Sequence, residues 1–187
     1  MNLSAVLLAG GESRRMGENK ATLLFHGKPL WQRQLDLLRK LQPAEIFVSA
    51  RTDPAWRPND VDLVLDATPL HGPLSGLAAA LARIRSSHLL ALAIDMPFMT
   101  AVYLQSLGKR IRSGCGVVPK IGRRSEALAA IYPAEALVDL RAALRGPDFS
   151  LQSMVQQLIG NGKLRPTQVR KSDQPCFANL NEPHDLA

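Results

Sequence analysis

Cysteine is nearly missing: 187 residues contain only Cys115 and Cys176. Two thiols so far apart make neither a disulfide framework nor a Cys/His zinc site. Aromatics are scarce as well, with 5 Phe, 2 Tyr and 2 Trp amounting to 5% of the chain. Single-stranded nucleic acid is held by bases stacking on aromatics set among cations, and no block of five like charges accompanies these few rings. Both shortages speak against a nucleic-acid partner. No apolar run approaches the roughly 18 residues of a membrane helix, which speaks against a membrane partner. The start, Met1-Asn2-Leu3-Ser4, has no basic n-region, and its first apolar stretch stops at Gly10. A cytoplasmic location is therefore expected.

What the chain does have is positive charge and short aliphatic runs. Lys plus Arg number 23 against 16 Asp plus Glu, for a net charge of +7. That balance favours anionic partners, and small phosphorylated ligands account for it at least as well as nucleic acid. Hydrophobic residues make up 46% of the chain. The length suits one domain, 1–187, with a real core.

Aliphatic runs alternate with segments of helical period. Strands are predicted at 4–9, 45–50, 61–65, 88–94, 116–119, 126–132 and 166–170. Helices are predicted from Pro29 through Leu41, from Pro73 to Arg85, and near 100–112, 134–144 and 150–160, with a short final turn after Pro183. Residues 51–60 read as a loop on their Pro and Asx content. The run His88-Leu-Leu-Ala-Leu-Ala-Ile94 suits a central strand covered on both faces. Such alternation predicts an α/β fold with a mainly parallel sheet. Ligands of such sheets bind beyond the carboxyl ends of the strands. Three features fall there: the loop after strand one, Asp66 and Asp95.

That loop reads Leu8-Ala-Gly-Gly-Glu-Ser-Arg-Arg-Met-Gly-Glu-Asn-Lys20. It matches neither the Walker A pattern nor G-x-G-x-x-G, so hydride-transfer dinucleotide binding loses its main support. Its chemistry still suits phosphate. Glycines admit backbone N–H groups close to phosphate oxygens. Arg14 and Arg15 offer forked donors, and Lys20 a point charge.

The full spacing resembles the signature of the molybdenum cofactor guanylyltransferases, the MobA-like nucleotidyltransferases. Four further segments resemble that family in order: Asp66-Ala-Thr-Pro-Leu-His-Gly-Pro-Leu-Ser-Gly76, Leu90-Ala-Leu-Ala-Ile-Asp-Met-Pro97, Glu126-Ala-Leu-Ala-Ala-Ile-Tyr132 and Asn179-Leu-Asn-Glu-Pro183. The segment 26–38 is similar too, so the resemblance covers nearly the whole chain. It implies a three-layer αβα, Rossmann-like mixed sheet of the nucleotide-diphospho-sugar transferase type. It also implies transfer of GMP from GTP to the terminal phosphate of molybdopterin, with release of pyrophosphate.

By that similarity Leu8, Ala9, Gly10 and Gly11 border the nucleotide, Arg15 and Lys20 grip the triphosphate, and Asp66 sits near guanine or ribose. Arg14 is a further binding candidate on its chemistry, although neighbouring residues do not readily both point inward. Gly76 lines the nucleoside pocket, Asp95 binds Mg²⁺ (with Mn²⁺ as an alternative), and Asn179 and Asn181 lie on the acceptor side. Arg15, Lys20 and Asp95 form the catalytic set. Residue chemistry agrees. The acceptor phosphate is already ionised, so the protein needs positioning, cations and Mg²⁺ more than a strong base. His71, beside a Gly-Pro turn, and the strand residue Glu126 are weaker candidates. Two departures from the pattern stand out, Val48-Ser-Ala-Arg51 after the second strand and Ala127 where a proline is common. Leu8-Ala-Gly-Gly11 favours guanine, since related cytidylyltransferases more often carry Thr-Ala-Ala-Gly. A cytidylyltransferase on the same cofactor, or a sugar- or polyol-phosphate transferase, is the alternative.

Overall fold

A computed structural model describes residues 3–10, 20–66 and 72–180. The strands are β1 (Leu3–Leu8), β2 (Leu24–Phe25), β3 (Lys28–Pro29), β4 (Ile46–Ala50), β5 (Asp62–Leu65), β6 (His88–Ala93), β7 (Gly116–Ile121), β8 (Arg124–Ser125), β9 (Ala129–Pro133) and β10 (Leu164–Gln168). The helices are α1 (Leu30–Arg39), α2 (Gly72–Leu81), α3 (Ala101–Gly108), α4 (Leu137–Ala143) and α5 (Leu151–Gly160).

The main sheet runs β10-β7-β9-β6-β1-β4-β5, with β8 paired to the end of β7. β1 pairs in parallel with both β4 and β6, and β4 in parallel with β5. The carboxyl ends of β6, β1, β4 and β5 therefore share one edge. β9 is antiparallel to β6 and β7, which makes the sheet mixed.

Every residue of β1 and β6 is buried. Both strands lie inside the sheet, so both of their faces need apolar cover. Alternate residues supply it. Ala5, Leu7, Leu90 and Leu92 pack against Leu30, Leu35 and Leu38 of α1 and Leu104 of α3. Val6, Leu8, Leu89 and Ala91 face the opposite way, toward Leu74 and Leu77 of α2 and Val155 and Leu158 of α5. Two apolar layers thus sandwich the sheet, each fully buried leucine contributing about 1.5–3 kcal/mol.

Several elements differ from the sequence reading. The Pro73–Arg85 helix ends at Leu81, because the Arg83 amide turns back three residues to the Ala80 carbonyl and tightens the last turn. Near 134–144 a 3₁₀ turn, Ala134–Ala136, precedes α4. The strand expected at 166–170 is pulled to Leu164–Gln168 by its parallel register with β7. The hairpin of β2 and β3 turns at His26-Gly27, both with positive φ, and had no alternating apolar run to announce it. The 3₁₀ helices Lys20–Thr22 and Lys171–Phe177 are too short or too polar to show a period. The turn expected after Pro183 lies outside the described residues.

Candidate functional site

A cavity of about 330 Å³ opens at the shared edge, lined by residues that include Leu8, Ala9, Gly10, Lys20, Asp66, Gly76 and Asp95. The sheet itself builds it. The Ala9 amide donates to the Ser49 carbonyl, the Asp66 amide to the Ala50 carbonyl and the Ile94 amide to the Leu8 carbonyl. Each bond extends a strand ladder by one step, so the residues after β1, β5 and β6 leave the sheet at fixed positions.

At one end of the cavity stands Asp66. The Ser49 hydroxyl, on a 1% exposed side chain, donates to Asp66 Oδ1 at 2.6 Å. Two glycines make room for this pair. A Cβ on Gly10 would run into Asp66 Oδ2, and a Cβ on Gly76 would run into Ser49 Oγ and lie 2.9 Å from Asp66 Oδ1. Gly76 therefore lets α2 press close against the ends of β4 and β5. Gly72 and Pro73 open α2 on the cavity wall, placing the positive end of a helix there. A carboxylate oriented in this way can accept from the N–H or O–H donors of a nucleoside.

At the other end stand Lys20 and Asp95. Lys20 Nζ lies 3.2 Å from Asp95 Oδ2, and the two side chains are 22% and 23% exposed. The same ammonium donates to the Leu180 carbonyl at 3.0 Å, and the Leu180 amide donates to the Asp95 carbonyl at 2.9 Å. Asp95 does not cap the next helix, since Thr100 accepts from the Tyr103 amide and caps α3. Its carboxylate is left to face the cavity, where it already holds a cation. Among the described residues no group of three or more His, Cys, Asp or Glu forms a metal cage.

Asn179 is exposed, one residue before Leu180, and lies outside the cavity lining. Gly11, Arg14, Arg15, His71 and Asn181 lie outside the described residues. Glu126 does not line the cavity either. It precedes Leu128, which does, and whose carbonyl accepts from the Ala93 amide. Burial pushes the Glu126 carboxyl up, partly opposed by Arg124. Arg51, at one of the departures from the family pattern, lines the cavity. Ser49 escaped the sequence reading, although one hydroxyl in the aliphatic run Ile46-Phe-Val-Ser-Ala50 is a signal when it falls at a strand's carboxyl end. A second groove, about 510 Å³, lies between α1 and the start of α3. Its Lys28 is paired with Asp36, and its Arg33 Nε donates to the Pro97 carbonyl.

Residues 5–162 match the family model of the MobA-like NTP transferase domain. The chain is 36% identical over 186 residues to a probable molybdenum cofactor guanylyltransferase of Opitutus terrae, covering 98% of this chain and 92% of that protein. It is 33% identical over 188 residues to the molybdenum cofactor guanylyltransferase of Pseudomonas fluorescens, covering 98% and 91%. The crystal structure of molybdopterin-guanine dinucleotide biosynthesis protein A from Archaeoglobus fulgidus superposes with a TM-score of 0.76 at 26% identity, covering 98% of this chain and 94% of that one. A 2-C-methyl-D-erythritol 4-phosphate cytidylyltransferase from Thermus thermophilus shares the fold, with a TM-score of 0.69 at 19% identity and coverage of 100% and 96%.

Proposed function

Since this chain belongs to the MobA-like NTP transferase family, we propose that it transfers GMP from GTP to the terminal phosphate of molybdopterin. The product is the guanine dinucleotide form of the cofactor. In the reaction an oxygen of the acceptor phosphate bonds to the α-phosphorus of GTP. The bond from that phosphorus to the bridging oxygen breaks, and the electron pair leaves with pyrophosphate.

The observation that carries the reading is the division of one cavity into two chemically different ends. Asp66, oriented by Ser49, offers a carboxylate to nucleoside donors. Lys20 and Asp95 offer a cation and a cation-binding carboxylate where phosphates would lie. Leu8, Ala9 and Gly10 line the same cavity, and a nucleotide bound there would pass beside them.

Asp95 suits Mg²⁺. It is partly exposed and already accepts an ammonium, and Mg²⁺ takes only one or two protein carboxylates, completing its shell with water and phosphate oxygens. When bound, the ion would neutralise charge on the triphosphate and its leaving group. Lys20 would share that work and hold the phosphates in line. Asp66 would keep the nucleoside from shifting. The acceptor's phosphate is anionic near neutral pH, so no residue has to remove a proton from it.

The reading is tested by incubating the protein with Mg²⁺, molybdopterin and, separately, GTP, CTP or ATP, and measuring pyrophosphate. Release with GTP and molybdopterin together is the expected result. Release with CTP alone would replace guanylyl by cytidylyl transfer, and no release with any of the three would refute the enzyme reading.

A further inference from the structure

We propose that Lys20 is the resident counter-cation of Asp95, competing with a divalent metal for that carboxylate until nucleotide phosphates draw the ammonium away. The inference rests on the reading of Asp95 as the metal ligand.

The geometry is a closed triangle. Lys20 Nζ bonds Asp95 Oδ2 at 3.2 Å and the Leu180 carbonyl at 3.0 Å, while the Leu180 amide bonds the Asp95 carbonyl at 2.9 Å. A lysine side chain is long and mobile, and a partly exposed ion pair alone would hold it weakly. Here Leu180 supplies a second, fixed acceptor. Its side chain is 1% exposed, and Phe177 nearby packs edge-on against Tyr103 at 5.1 Å. Leu180 is therefore held both by its buried side chain and by its amide hydrogen bond to Asp95, and its carbonyl offers the ammonium a second acceptor. Leu180 acts as a positioning residue that parks the ammonium on Asp95.

A divalent cation arriving without nucleotide meets a carboxylate that is already neutralised. It must displace the ammonium or bind beside it against like-charge repulsion. A triphosphate changes the balance, because it offers Lys20 several anionic oxygens and frees Asp95. Metal and nucleotide then strengthen each other's binding by the same factor, as linkage requires. The site loads as a metal–nucleotide unit and resists metal alone.

The test titrates Mn²⁺ into nucleotide-free protein, with free Mn²⁺ read by electron paramagnetic resonance. Wild type is compared with Lys20→Met, Lys20→Gln, Arg51→Met and Asp95→Asn. Both Lys20 variants are expected to bind Mn²⁺ at least about threefold more tightly than wild type, the scale of a partly exposed ion pair. Arg51→Met removes another cation of the same cavity and, because Lys20 is the cation bonded to Asp95, is expected to change the affinity by less than about twofold. Equal or weaker binding by both Lys20 variants overturns the proposal. So does an equal gain in Arg51→Met, which would make the effect one of general field. Asp95→Asn is expected to lose the site. Wild-type Mn²⁺ affinity in that variant would instead refute the metal reading itself, and the two failures are thereby told apart.

Discussion

Lys20 Nζ and Asp95 Oδ2 lie 3.2 Å apart across 75 residues of sequence. The pair joins the segment after the first loop to the end of the central strand. Replacing the carboxylate should therefore damage chemistry more than folding. Asp95→Ala is expected to lower kcat/KM for GTP by at least about tenfold, or ~1.4 kcal/mol of transition-state stabilisation. Its far-UV circular dichroism should match wild type. Steady-state pyrophosphate assays check the first expectation, and activity above a tenth of wild type would remove Asp95 from the central role.

Ser49 and Gly76 make a different prediction, because they act through Asp66. Ser49→Ala deletes one hydrogen bond to a carboxylate, worth on the order of 1 kcal/mol. The KM for GTP should rise several-fold while kcat stays near wild type. Gly76→Ala forces a methyl into the space of Ser49 Oγ. Overpacking of this kind costs about 1–3 kcal/mol, so the variant should lose both melting temperature and GTP affinity. Calorimetric titration with GTP, alongside thermal melts, separates the two cases.

Glu126 gives a pH prediction. Its carboxyl is pushed up by burial, with Arg124 pulling the other way. A carboxyl raised on folding holds its proton more tightly in the folded state. Its contribution to stability is thus present at low pH and lost as pH climbs through the raised value. Glu126→Gln removes that loss. The variant should melt higher than wild type near neutral pH, and the gap should close below the ordinary glutamate range of about 4.3. Melting curves across that window check it, and a gap that widens toward acid would contradict the sign.

Some of this was legible in the chain and some was not. The aliphatic run of β6 declared a buried central strand, and the rule about carboxyl ends then placed Asp95 and Asp66 on one edge. Strand burial and strand direction are local in sequence, so pattern carries them. Ser49, Leu180 and the tight fit at Gly76 are not local. Ser49 matters because β4 lies beside β5, and Leu180 because the tail returns to β6. The β2–β3 hairpin depends on positive φ at His26 and Gly27, which two short strands cannot advertise. Helix ends were misjudged where a tightened turn, as at Arg83, stopped a pattern that Ile84 seemed to continue.

The most direct measurement of the central claim follows the label of GTP. With GTP carrying ³²P at the α position, Mg²⁺ and molybdopterin, the α label should move into a molybdopterin-bound product. A γ label should appear only in pyrophosphate. Recovery of the α label as free GMP or GDP, or in a product formed without molybdopterin, would contradict guanylyl transfer by this site.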